Sequence, residues 1–194
     1  MPAKVAVHVE DNGGDDGAKV LGEAKRAAAG LPVPKLQVVA PDQNGGEVMR
    51  GYCGIGISHG KTAANLGTLW RSAHLLGASF LFTVGARYRK QSSDTMRSWR
   101  MVPLWHFTTL AQLRESLPRE CLLVGVELDD RAHRIETFTH PERAIYLLGA
   151  EDHGLTTEER TACHHLIQLP GDRSMNVAAA GTVVLYDRFV KRGV

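Results

Sequence analysis

Residues 149–155 read Gly-Ala-Glu-Asp-His-Gly-Leu, and residues 170–180 read Pro-Gly-Asp-Arg-Ser-Met-Asn-Val-Ala-Ala-Ala. Each stretch places glycine and polar residues between an apolar run and a helical pattern, which is typical of a turn from a strand to a helix. In an open α/β sheet, ligands bind at the carboxyl ends of strands. Two such turns so close in sequence therefore predict one composite pocket.

From residue 51 onward, short apolar runs alternate with helical patterns. Such runs are typical of strands that are buried on both faces of a parallel sheet. The runs predicted as strands are Cys53–Ile57, Ser79–Val84, Val102–Trp105, Cys121–Val126, Ala144–Leu148 and His165–Leu169. Capping-box spacings at Thr109 with Gln112 and at Thr156 with Glu159 predict two helix starts. The alternation predicts an α/β fold with a doubly wound, mostly parallel sheet flanked by helices.

Residues 1–50 differ from the rest of the chain, because they contain loop-like stretches rich in Gly, Asp and Asn. We expect a polar, partly mobile N-terminal extension, followed by one domain over residues 51–194. The three cysteines are too scattered for a disulfide framework or a zinc site, and no apolar run is long enough to span a bilayer. The net charge of +2 allows RNA binding without arguing for it. These features predict a cytoplasmic protein that uses no metal.

An amphipathic helix is predicted after the first strand. Its apolar stripe consists of Leu66, Leu69, Trp70, Ala73 and Leu76. Arg71 points away from that stripe, so periodicity alone makes it an exposed surface arginine. Gly67, one turn earlier on the same face, would leave room for another backbone or for a phosphate beside the planar guanidinium fork. Asn65 is either the N-cap of this helix or a functional residue.

The two turns also contain candidate site residues. Gly149 would let a ligand approach the end of its strand, and Glu151 would hold a backbone N–H or a neighbouring arginine. A single Gly-x-Glu-x-x-Gly is a weak signal by itself. Ser174 is predicted to cap a final helix that runs from about Ser174 to Lys191.

With Asn-Leu-Gly-Thr-Leu-Trp-Arg at residues 65–71, the two turns resemble the three motifs of the SPOUT superfamily, in its SpoU (TrmH-like) branch. Members of that branch are RNA 2′-O-ribose methyltransferases that use S-adenosylmethionine. The resemblance covers about residues 51–192, with Met175 where the family usually has leucine. It implies a C-terminal trefoil knot, which periodicity would not reveal, and a homodimer in which the catalytic arginine of one subunit can face the cofactor of the other.

The resemblance also implies roles for individual residues. The implied cofactor pocket consists of Val126, Gly149, Leu169, Ser174, Met175 and Asn176. The implied catalytic or orienting residues are Asn65, Arg71, Glu151, Ser174 and Asn176. Arg71 stands at the position of the family's catalytic arginine. Because an arginine has a pKa above about 12, it is a poor base, and we expect positioning of the reacting groups to dominate the rate.

A basic stretch with interleaved aromatic residues is the candidate RNA-binding surface. Its basic residues are Arg87, Arg89, Lys90, Arg97 and Arg100, and its aromatic residues are Tyr88, Trp99 and Trp105. Arginines bind phosphates, and aromatic faces stack on unpaired bases. The alternative is a solvated basic loop with tryptophans that belong to the core.

The predicted function is transfer of a methyl group from S-adenosylmethionine to a ribose 2′-hydroxyl of tRNA or rRNA. One alternative is a catalytically silent RNA-binding or assembly protein on the same fold, against which the retained motif residues argue. A small-molecule methyltransferase is a further alternative, which the basic aromatic stretch disfavours.

Overall fold

The computed structural model describes residues 51–86 and 98–192. The predicted N-terminal extension, and with it the proposed domain boundary at residue 50, lies outside the described residues. The strands are β1 (Tyr52–Ser58), β2 (Phe80–Val84), β3 (Leu104–Phe107), β4 (Leu122–Val126), β5 (His133–Arg134), β6 (Arg143–Leu148) and β7 (His165–Gln168). The α-helices are α1 (Ala63–Leu75), α2 (Leu110–Ser116), α3 (Thr157–Ala162) and α4 (Val177–Arg192).

The strands form one sheet in the order β3-β2-β1-β6-β4-β7-β5, and every neighbouring pair is parallel. All six predicted strands are present, with ends that lie within two residues of the prediction, and β5 is an addition. The α/β class and the parallel sheet are confirmed. The order places the carboxyl ends of β6, β4 and β7 side by side, where ligands bind in such sheets. The trefoil knot stays a prediction.

Helices cover both faces of the sheet. Along β6, Tyr146 and Leu148 belong to a buried cluster with residues of α1 and α4, whereas Ile145 and Leu147 belong to a second cluster with residues of α2. Because both faces are covered, the strands are continuous apolar runs without polar alternation. No helix in the described ranges is long and apolar enough to cross a membrane.

The contact between α1 and α4 brings two of the motifs together. A Cβ atom at Gly181 of α4 would lie 2.5 Å from Cδ1 of Leu69 on α1, so the absent side chain lets the helices approach. Beside it, the Thr182 hydroxyl donates to the Ser72 hydroxyl at 2.7 Å. The start of α4 is thereby held next to α1.

Both predicted helix starts have capping contacts. Thr156 and Glu159 form the complete capping box, and the buried Glu159 carboxylate also accepts a hydrogen bond from the hydroxyl of Ser58. Thr109 accepts from the backbone N–H of Gln112. The Gln112 side chain bonds the N–H of Thr108 at 2.7 Å, one residue before the expected partner.

Candidate functional site

A cleft of about 580 Å³ lies at the carboxyl ends of β6, β4 and β7. Its walls come from residues 126–128 after β4, residues 148–154 after β6, residues 169–170 after β7, and residues 173–177 with Ala180 at the start of α4. The volume falls within the range of about 300–1,000 Å³ that is typical of small-molecule sites. The composite pocket expected from the two turns is therefore present.

The residues assigned to the cofactor come together in this cleft. Those that line it are Val126, Gly149, Leu169, Ser174, Met175 and Asn176. Glu151 lines it as well, whereas Asn65 and Arg71 are not among the lining residues. The geometry thus joins the second and third motifs, and the role of each residue stays a prediction.

The carboxylate of Glu151 joins the second motif to the first. It accepts hydrogen bonds from the backbone N–H groups of Lys61 and Thr62, at 2.9 and 3.0 Å, and from the side-chain amide of Asn65 at 2.9 Å. The other end of the Asn65 amide accepts from Nδ2 of Asn176 at 3.1 Å. Asn65 is therefore not the N-cap of α1, which begins after Thr62. It links the second and third motifs instead.

These hydrogen bonds decide the ionisation of Glu151. Burial raises the pKa of its carboxyl group, but the bonds from Lys61, Asn65 and Thr62 outweigh burial and hold the pKa at about 2. Next to it, the ammonium of Lys61 lies 2.5 Å from Asp152 and holds the pKa of that carboxyl group at about 2. A carboxylate with such a low pKa is a poor general base near neutral pH, and the hydrogen bonds of Glu151 hold the start of α1 in place.

Asn176 also caps the last helix, which corrects the assignment of that role to Ser174. The helix begins at Val177, and Oδ1 of Asn176 accepts from the backbone N–H groups of Ala178 and Ala179 at 3.0 and 3.2 Å. Serine and asparagine are both good caps, and the residue next to the helix takes the role. Ser174 remains exposed on the cleft.

Gly149 is required by the turn after β6. A Cβ atom there would lie 2.1 Å from the carbonyl carbon of Gly154 and 2.4 Å from the nitrogen of Leu155. The turn folds back on itself because Ala150 and Gly154 exchange two backbone hydrogen bonds. Gly154 has a φ of +66°, which favours glycine. Gly149 also lines the cleft, and its role in letting a ligand approach the strand end stays a prediction.

Arg71 lies on α1 outside the cleft lining and is partly exposed. Gly67 on the same helix is buried, which fits the alternative in which it makes room for another part of the chain rather than for a phosphate. Helical periodicity gives the direction of a side chain but does not show what packs against a glycine from another part of the chain.

Glu127 lines the cleft between Val126 and Leu128, and it is not among the residues that the sequence motifs indicate. Its Oε2 accepts from the backbone N–H of Leu155 at 2.5 Å, and its Oε1 accepts from the N–H of Leu128 at 3.0 Å. The available signal was a polar residue directly after a predicted strand. Arg173, beside Ser174, also lines the cleft and was missed.

Most of the candidate RNA-binding stretch lies outside the described residues, namely Arg87, Tyr88, Arg89, Lys90 and Arg97. Arg100 is exposed, and its guanidinium carbon lies 5.1 Å from the centroid of the Trp99 ring. Trp99 and Trp105 are partly buried and pack against the two core clusters. These two tryptophans therefore fit the alternative in which they belong to the core.

Several known proteins are similar to this chain. The 23S rRNA (uridine(2479)-2′-O)-methyltransferase of Streptomyces viridochromogenes is 25% identical over 186 residues, which are 89% of this chain and 64% of that protein. The crystal structure of the SpoU methyltransferase AviRb from the same organism is 24% identical with a TM-score of 0.65, and the match covers 73% of this chain and 60% of that chain. The A. aeolicus TrmH/SpoU tRNA modifying enzyme is 17% identical with a TM-score of 0.66, over 75% of this chain and 79% of that chain. The chain thus spans less than two thirds of the length of the first two relatives.

The similarity to these solved structures shows the fold. Separately, the sequence model of the SpoU rRNA Methylase family matches residues 54–186 of this chain. The matched range is more than half of the chain and contains all three motifs. The chain belongs to the SpoU rRNA methylase family.

Proposed function

We propose that this protein is an RNA methyltransferase that transfers a methyl group from S-adenosylmethionine to a ribose 2′-hydroxyl. The observation that carries the proposal is the cleft at the ends of β6, β4 and β7, where the residues assigned to the cofactor come together. Membership of the SpoU family and the curated relative named as a 23S rRNA 2′-O-methyltransferase support the same activity.

The residues of the cleft fit this cofactor. Val126, Leu148 and Leu169 offer apolar surface to an adenine ring, and Glu127 and Asp152 add negative charge to a cleft that would hold a sulfonium cation. When bound there, the cofactor supplies an electrophilic methyl group. The side chains that face it are proposed to bind and orient it.

The chain's own residues are proposed to position the acceptor hydroxyl. A bound cofactor would supply its methyl group to the oxygen of this hydroxyl and the hydroxyl proton would be released to water, while Arg71, Ser174 and Asn176 would hold the ribose and its hydroxyl in place. Glu151 is too weak a base to take that proton. Holding the reacting atoms in line can lower the activation free energy by about 7–11 kcal/mol. A typical general base accelerates a reaction by about 10²–10⁴-fold, which corresponds to a smaller reduction of the activation free energy.

The catalytic arginine and the homodimer are proposed together. Leu75 near the end of α1 is 61% exposed, and Tyr186 and Val190 on α4 are 59% and 60% exposed. Because α1 and α4 pack side by side, these side chains offer an apolar surface for a second copy of the chain. Arg71 lies on the same helix as Leu75 and outside its own cleft, which supports a role for Arg71 at the cleft of the partner subunit.

The finer assignments are also proposals. The curated relative favours rRNA as the substrate, and the likeness to a tRNA modifying enzyme keeps tRNA as the alternative. We propose that the basic residues between 87 and 100 contact that RNA, that the C-terminal part forms a trefoil knot, and that the protein acts in the cytoplasm.

Calorimetric titration with S-adenosylmethionine tests the proposal, followed by methyl incorporation into RNA from a strain that lacks the protein. We expect saturable cofactor binding and a new 2′-O-methyl nucleotide at a defined site. Ser174→Trp serves as a control, because an indole at this exposed position would fill the cleft without disturbing the core. If the wild-type protein neither binds the cofactor nor methylates RNA, the silent RNA-binding alternative is favoured.

A further inference from the structure

Three carboxylates line the cleft, and two of them are engaged by the start of α1. Glu151 bonds the backbone of Lys61 and Thr62, and Asp152 pairs with the ammonium of Lys61. Glu127 differs from both, because it follows β4, which is the middle strand of the three that end at the cleft. Its carboxylate is thus a separate polar feature of the site.

The Glu127 side chain is fixed in place by its own turn and by the turn after β6. One oxygen accepts from the N–H of Leu155 and the other from the N–H of Leu128. A Cβ atom at Gly154 would lie 2.2 Å from Oε2 of Glu127, so the glycine is needed for this close approach. A carboxylate has about four lone-pair sites, and these two bonds leave acceptor capacity on a side chain that lines the cleft.

We infer that Glu127 recognises the ribose of the adenosyl cofactor by accepting hydrogen bonds from its 2′- and 3′-hydroxyls. The inference rests on the proposed function. A fixed carboxylate suits a vicinal diol, which offers two neighbouring donors, and bonds to an ionised acceptor are the stronger ones. An acidic residue near the carboxyl ends of parallel strands performs the same task in dinucleotide-binding folds.

A ribose is favoured over the ammonium of the cofactor's amino-acid part for a physical reason. Each oxygen of Glu127 already accepts one backbone N–H and keeps acceptor capacity, so the carboxylate offers two neighbouring acceptors that match the two hydroxyls of a vicinal diol. The role also explains why a carboxylate stands here: one side chain would hold the turn at residues 149–155 and bind the ligand beside it.

Isothermal titration with S-adenosylhomocysteine and its 2′-deoxy and 3′-deoxy analogues tests the inference. We expect the wild-type protein to bind the parent compound at least about tenfold more tightly than either analogue, since a hydrogen bond to a charged group contributes about 1.5–3 kcal/mol. Glu127→Gln should bind the parent compound about tenfold more weakly and should discriminate less than about threefold between the ligands. Asp130→Asn is the matched control, because Asp130 is exposed and does not line the cleft, and it should keep the wild-type affinities and their ratio.

The outcomes separate ribose recognition from other roles. If Glu127→Gln weakens all three ligands equally and keeps their ratio, Glu127 only supports the turn and the inference is wrong. If the variant weakens S-adenosylhomocysteine but not 5′-methylthioadenosine, Glu127 pairs with the ammonium, which also overturns it. The affinities of the wild-type protein test the inference without any variant. If the wild-type protein binds S-adenosylhomocysteine and both deoxy analogues equally well, it does not recognise the diol. No binding of any ligand by the wild-type protein would instead refute the proposed function.

Discussion

At the scale of single residues, the site is organised by side-chain amides and carboxylates that bond to one another. The Asn65 amide uses its nitrogen toward Glu151 and its oxygen toward Asn176, so one side chain connects all three motifs. Each of the three residues also has a structural task, at the start of α1 or of α4. We therefore expect substitutions of these residues to change cofactor binding through the positions of α1 and α4.

The carboxylate of Glu151 predicts a pH dependence of stability. Its pKa of about 2 lies below the ordinary value of 4.5, so its stabilising contribution is complete above about pH 4.5 and is lost as the pH falls toward 2. Glu151→Gln should lower the free energy of unfolding by about 1 kcal/mol at pH 7, a figure reduced for solvent exposure, and by much less near pH 2. Urea unfolding of both proteins at several pH values measures this, and a difference independent of pH would contradict it.

The two tasks of Asn176 can be separated by a pair of substitutions. Asn176→Asp keeps an acceptor for the start of α4 and adds a favourable charge there, but it removes the donor to Asn65. It should match the wild-type stability and still bind S-adenosylmethionine more weakly. Asn176→Ala should lose the cap as well, at about 1 kcal/mol. Urea unfolding and calorimetry measure both effects, and full cofactor affinity in Asn176→Asp would show that the link to Asn65 is dispensable.

At the scale of elements, the packing of α4 on α1 depends on Gly181. A larger side chain would press on Leu69 and on Leu148, whose side chain also lines the cleft. Gly181→Val should therefore destabilise the protein by about 1–3 kcal/mol and weaken cofactor binding. Ala179→Val, at an exposed position of the same helix, should cost only about 0.5 kcal/mol of helix propensity. If the two variants unfold at the same urea concentration, α1 and α4 can move apart at residue 181 without loss of stability.

The strands were predictable from the sequence because they are buried on both faces, which produces the apolar runs that identify them. The two-residue β5 is too short to produce such a run. The start of α4 was placed three residues early because Ser174 and Asn176 are equally good caps in sequence. Gly149 and Glu127 required the structure, since their roles depend on backbone atoms of Gly154 and Leu155, and these contacts have no signature in the sequence.

At the scale of the whole molecule, α4 is fixed at both ends. Asn176 holds its start, and at its other end the buried Arg188 donates to the backbone carbonyls of Pro141 and Glu142 at 2.6 and 2.8 Å. A helix held in this way keeps α1 and Arg71 in a constant relation to the rest of the chain. Since Arg71 does not line the cleft of its own chain, a second subunit is the source we propose for the arginine of each site.

A complementation experiment tests that arrangement. Arg71→Ala should fold and bind S-adenosylmethionine but lose nearly all methyl transfer, because Arg71 lies outside the cleft and is proposed to act on the RNA. Ser174→Trp should fold and fail to bind the cofactor. If each site combines the cleft of one subunit with the arginine of the other, mixed dimers contain one intact site, and a fully exchanged equimolar mixture should recover about a quarter of the wild-type activity. Methyl incorporation into RNA is the measurement, with each variant alone as the control. Absence of recovery, despite subunit exchange demonstrated by differently tagged chains, would mean that each site is built within one chain.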